Sequence, residues 1–104
     1  MGEKQYLILL GSGARKRHWH RIEAGRVAQF VVQLEIKIHG SWKAVVRYDC
    51  AHGYAHRDCY NSKEARRKVK LYLGYENALT LADEDINENW EIYKEKFMNG
   101  GFPC

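Results

Sequence analysis

Proline is almost missing from this chain, with one among 104 residues, at position 103. No proline therefore breaks a strand or helix within the body. Cysteine is scarce, and three is an odd number, which argues against a complete disulfide framework. Cys50 and Cys59 would pair only if adjacent strands brought them together, and in a reducing compartment thiols are expected instead. Long apolar runs are also missing. The strongest near the start, Tyr6 to Leu10, is too short for a signal-peptide core or a membrane span. The expectation is a cytoplasmic protein with no membrane association. Low-complexity segments and repeats are lacking as well. Gly11-Ser12-Gly13 is a flexible joint and not a dinucleotide-binding fingerprint, because the third glycine and its helix are missing.

What is present suits one domain, residues 1–104, with a modest core. Apolar residues make up 45% and charged residues 29%, the balance of a globular chain. Seven Tyr, three Trp and three Phe supply large surfaces for that core. The formal net charge of +4 is unevenly placed. Residues 1–74 carry 15 Lys and Arg against 6 Asp and Glu, whereas residues 75–104 carry 2 against 7. A basic body suits phosphates, and an acidic end shields or competes with them. Ordinary surface solvation explains the same split.

Periodicity supplies the fold. Residues 1–13 hold a short strand, Gln5 to Leu10, as an edge strand or arm. From Arg26 to Ile38 the even positions Ala28, Phe30, Val32, Leu34, Ile36 and Ile38 are apolar, the period of a half-buried strand. Ser41 to Asp49 alternates likewise, with Trp42, Ala44, Val46 and Tyr48 on one face. A three-residue loop, Ile38-His39-Gly40, pairs Ile36 with Trp42, Leu34 with Ala44, Val32 with Val46 and Phe30 with Tyr48. Arg47 and Asp49 then lie on the face opposite Tyr48. Further strands are expected at Tyr54–Tyr60 and Lys68–Leu73. Ala78, Leu79, Ala82, Ile86, Trp90, Tyr93 and Phe97 form one apolar stripe, which predicts a helix over Tyr75–Phe97. Asn99-Gly100-Gly101 ends it, and residues 98–104 are expected to be a mobile tail with Cys104 exposed. The fold class is α+β: a curved antiparallel β-sheet of about four to five strands packed against one long C-terminal helix.

Chemistry concentrates between Arg47 and Cys59. Two histidines, two cysteines, two arginines and two aspartates fall within thirteen residues there. One reading is a zinc site from Cys50, His52, His56 and Cys59, whose ligand types suit zinc but whose spacing matches no common finger. The alternative is two buried cysteines acting as small apolar residues. A second reading is acid–base chemistry on RNA without a metal or other cofactor. His52 and His56 would exchange protons, Asp49 would orient one of them, and Arg47 and Arg57 would hold phosphate. RNA carries its own nucleophile, the 2′-hydroxyl. The alternative is a set of polar strand-end residues. Upstream, the basic run Arg15 to Arg21 holds Arg15, Arg17 and Trp19, types that neutralise phosphate and stack on bases. A solvated strand edge explains that run equally well.

Arg47-Tyr48-Asp49, followed by His52 and His56, resembles the TumE-type toxins of type II toxin–antitoxin modules, over about residues 28–60. The whole chain is similar to uncharacterised small bacterial domains with a VRYD-x-AHG-x-AHRD motif and an ALTLA-x-EDINENW helix. The toxin resemblance implies a ribonuclease that inhibits growth and is held by a cognate antitoxin. Two other functions stand beside it: a non-catalytic nucleic-acid-binding module, and a protein-interaction module, such as a homodimer, using its acidic helix.

Overall fold

A computed structural model describes residues 2–104. Six strands form one antiparallel sheet in chain order: β1 (Gly2–Gly11), β2 (Ala14–Glu23), β3 (Arg26–Ile38), β4 (Ser41–Asp49), β5 (His56–Tyr60) and β6 (Arg66–Lys70). The helix α1 (Tyr75–Met98) then crosses one face of the sheet. This is the expected α+β architecture with a slightly higher strand count. Among the described residues no helix is long and apolar enough to cross a membrane.

The added strand is β2. Its basic sequence lacks an apolar face, yet β2 pairs along its length with both β1 and β3. β1 is an edge strand that runs further than expected. β5 starts at His56, not Tyr54, and β6 ends at Lys70, leaving Leu71 and Leu73 outside the ladder.

The β3–β4 turn also differs from the expected one. Ile38 pairs with Ser41, so the loop is the two residues His39 and Gly40. Both have positive φ, 50° and 82°, as the hairpin turn of this length requires. Leu34 pairs with Val46, Val32 with Tyr48 and Gln33 with Arg47, beyond a register shift between Leu34 and Glu35. That bulge places one extra residue in β4, so Trp42 and Ala44, paired with Lys37 and Glu35, lie on the face opposite Val46 and Tyr48 and not beside them as expected. Tyr48 therefore still faces the core, and Arg47 and Asp49 still face away from it.

The core lies between the sheet and α1. Phe30, Val32, Leu34 and Ile36 of β3 and Val46 and Tyr48 of β4 pack with Ala78, Ala82, Ile86, Tyr93 and Phe97 of α1. Each large apolar side chain buried this way contributes roughly 1.5–3 kcal/mol. Gly11 matters at the rim, because a Cβ there would stand 2.5 Å from the Trp90 ring. Residues 99–104 fold back rather than trailing away: Pro103 is fully buried and Cys104 is disulfide-bonded to Cys59. Cys104 is thus not an exposed bystander.

The helix covers only one face. The other carries the odd-numbered residues of β2 and β3 and the residues Arg47, Asp49, His56 and Asp58.

Candidate functional site: the open face of the sheet

Register brings distant residues into rows. Trp19 pairs with Val31, Val31 with Asp49, Asp49 with His56, and His56 with Lys70. The adjacent row runs Arg17, Gln33, Arg47, Asp58 and Lys68. Strands lie about 4.8 Å apart, so each row is a lateral strip across five strands. Trp19, Gln29, Val31, Arg47, Asp49 and Ala51 line a cleft of about 250 Å³ on this face.

Charges here are held in place. Glu35 accepts from Arg15 Nε at 2.6 Å, Arg17 Nε at 3.0 Å and Gln33 Nε2 at 2.6 Å. Burial pushes the Glu35 carboxyl up, but these donors outweigh it and hold the carboxyl below its ordinary range. Arg15 also lies over the Trp42 ring, 3.9 Å from its centroid. Arg47 Nε donates to Asp49 Oδ2 at 2.6 Å.

At the β4–β5 end, Asp49, His56 and Asp58 are only 4%, 1% and 3% exposed. The loop between the strands covers them. The rings of His52 and Tyr54 lie over His56, with centroids at 5.6 and 5.5 Å. His52 itself is exposed. His56 Nε2 lies 2.5 Å from Asp49 Oδ1, off the hydrogen-bond direction, and Nδ1 lies 3.6 Å from Asp58 Oδ1. Neither ring nitrogen has a hydrogen-bond partner. Burial outweighs the two carboxylates and pushes the His56 pKa below the ordinary histidine range.

The residues named from sequence therefore divide. Trp19, Arg47 and Asp49 line one cleft, and Arg15, Arg17, His56 and His52 lie on the same side of the sheet. Arg57 does not join them. It pairs with Tyr48 and reaches the Tyr48 hydroxyl at 3.5 Å, on the helix side. The Cys50, His52, His56, Cys59 zinc set does not form, because Cys59 is bonded to Cys104 and lies out of phase with His56 in β5.

A second polar cluster, missed from sequence, lies between β2 and α1. His18 Nδ1 and Lys16 Nζ each stand 3.1 Å from Asp83 Oδ1, and Lys16 donates to Asn87 Oδ1 at 2.9 Å. His18 Nε2 lies 2.6 Å from His20 Nδ1, and Tyr6 stacks on His18. Only the even spacing of Lys16, His18 and His20 hinted at a shared face. Burial, with His18 and Lys4 nearby, lowers the His20 pKa.

Stability should consequently fall in mild acid. His20 and His56 both titrate lower when folded than unfolded. The unfolded chain takes up protons first as pH drops below about 6.5, so folding stability is full above that pH and declines until the folded histidines protonate. Thermal melts between pH 7.5 and 5 should show a falling Tm; a flat or rising Tm would contradict the assignment.

A family model described as a domain of unknown function, DUF7718, matches residues 1–102, and the chain belongs to that family. No curated protein and no solved structure matches.

Proposed function

We propose that this DUF7718 member is a small RNA-directed protein that holds single-stranded RNA on the open face of its sheet. The observation that carries the reading is the register, which sets Trp19 and Arg47 on one cleft, with Arg17 and Lys68 in the row through Arg47. Arginine forks and lysine neutralise phosphates, and a half-exposed indole offers a stacking surface to any base. Gln29, exposed in the same cleft, can both donate to and accept from a base edge. A cleft of about 250 Å³ has room for one unstacked base. The acidic residues of α1 lie across the core and leave the open face to the nucleic acid. The resemblance of Arg47-Tyr48-Asp49, His52 and His56 to TumE-type toxins points the same way.

The test is fluorescence anisotropy with a labelled uridine-rich 12-mer at several salt concentrations. Affinity should fall with salt at a log–log slope of about −0.7 per phosphate contacted. A duplex of the same length should bind more weakly. No binding at low salt would end this reading and move the function to protein interaction, with a second copy or an antitoxin as partner.

One observation favours cleavage as a second reading: the exposed His52 ring rests against His56, itself beside Asp49. His52 is the histidine of this pair that a substrate can touch, and it would exchange the proton of the attacking 2′-hydroxyl. His56, buried beneath it, would position it. RNA cleavage in EDTA should then vanish in His52→Ala. Equal cleavage by both proteins, or none by either, removes the catalytic reading.

A further inference from the structure

His56 lies between two carboxylates, and a neutral imidazole cannot serve both. It has one N–H and one lone pair. With its N–H on Nε2, the ring turns its donor side to Asp49, whose Oδ1 is 2.5 Å away. The lone pair of Nδ1 then faces Asp58 Oδ1 at 3.6 Å. That distance is too long for a hydrogen bond. Both atoms are buried, and neither has a partner. Two facing acceptors shut away from water cost free energy unless something positive stands between them.

The spacing says what fits. Two ligands on one first-row cation, with bonds near 2.1 Å, stand about 3.0–3.5 Å apart. The gap of 3.6 Å between Nδ1 and Oδ1 is close to that edge length. Asp49, His56 and Asp58 each offer a ligand atom within 4.8 Å of the others. The order carboxylate, imidazole, cation is also the usual one, with the outer carboxylate fixing the tautomer through the second ring nitrogen. Asp49 fills that outer place. It lines the cleft as well.

Neighbouring cations do not already fill the gap. Arg47 Nε is engaged by the other oxygen of Asp49, at 2.6 Å. Lys68 stands opposite Asp58 in β6 but is exposed and leaves Oδ1 of Asp58 unmet.

We propose that His56 Nδ1 and Asp58 Oδ1 bind one divalent first-row cation, zinc or manganese, with Asp49 orienting the ring from behind. An N/O ligand set that includes imidazole favours these over magnesium. The site is independent of the RNA reading: either stands if the other fails.

The experiment titrates chelator-treated, folded protein with Zn²⁺, Mn²⁺ and Mg²⁺ by calorimetry. The histidine ring nitrogens are followed by NMR during the Zn²⁺ titration. The expected result is one equivalent of Zn²⁺ or Mn²⁺ bound, little Mg²⁺ bound, and a Zn²⁺-dependent shift at His56 Nδ1. Asp58→Asn should weaken binding at least 100-fold, and Asp49→Asn about 10–100-fold. The His56 signal in the wild-type protein decides the question even if a variant fails to fold. An unchanged His56 Nδ1 at saturating Zn²⁺ would overturn the proposal. Shifts confined to His18 and His20, or wild-type binding by folded Asp58→Asn, would overturn it equally.

Discussion

Replacing Asp85 with alanine should destabilise the fold by about 2–5 kcal/mol, because it strips the shared acceptor from two buried tyrosines. Tyr48, fully buried, donates to Asp85 Oδ2 at 2.6 Å. The Tyr93 hydroxyl lies 2.6 and 2.8 Å from the two carboxylate oxygens, and Asn89 donates to Oδ1 at 2.8 Å. Burial and the carboxylate together push both tyrosine pKa values far above their ordinary range, so both hydroxyls stay protonated donors. Arg57 reaches the same network through the Tyr48 hydroxyl. Without Asp85, these donors remain enclosed and lack their common partner. Domains of this size are stable by only about 5–15 kcal/mol, so the loss would be plain in a urea melt. Tyr48→Phe removes one donor and leaves Asp85 served by Tyr93 and Asn89, and should cost only about 0.5–1.5 kcal/mol. An Asp85→Ala protein within about 0.5 kcal/mol of wild type would show that the network does not hold the helix to the sheet.

The second large effect is on RNA affinity. Trp19→Ala should weaken binding by about 1–3 kcal/mol, the usual loss when a stacking aromatic is removed. That is roughly 5- to 150-fold. The side chain is half-buried on the open face and donates to Glu3, so its removal spares the core between sheet and helix. Trp19→Phe should recover part of the affinity by restoring an aromatic face. Arg17→Ala separates charge from stacking. Glu35 retains Arg15 and Gln33 when Arg17 is lost, so folding should hold. Affinity should drop modestly at every sequence, and the salt slope should flatten by about 0.7. Equal binding by wild type, Trp19→Ala and Arg17→Ala would place the RNA elsewhere.

Which face β3 and the second half of β4 present could be read from their alternation. The loop and pairing of that hairpin could not, because a one-residue bulge compensates for a different turn. Val46 and Tyr48 came out on the expected face, but the bulge turns Trp42 and Ala44 to the opposite one, where Trp42 meets Arg15. β2 was illegible as an interior strand for a different reason. Its inward residues are Lys16 and His18, and what makes their burial tolerable is Asp83, far along the chain. Polar burial depends on tertiary partners, which periodicity cannot see. The candidate site was legible as a cluster between Arg47 and Cys59, and β5 alternation separates Arg57 from His56. The contribution of Trp19 needed the pairing of β2 with β3. Cys104 reaches Cys59 only because the chain folds back beyond α1.

The most direct test of the central claim is an NMR titration of backbone and side-chain amides with a single-stranded RNA 12-mer. The account predicts that shift changes gather on the open face, at Trp19, Val31, Gln33, Arg47 and Ala51. The solvent-facing side of α1, including Glu88, Glu91 and Glu95, should stay unchanged. Changes concentrated on α1, or none at saturating RNA, would contradict an RNA-directed role for this face.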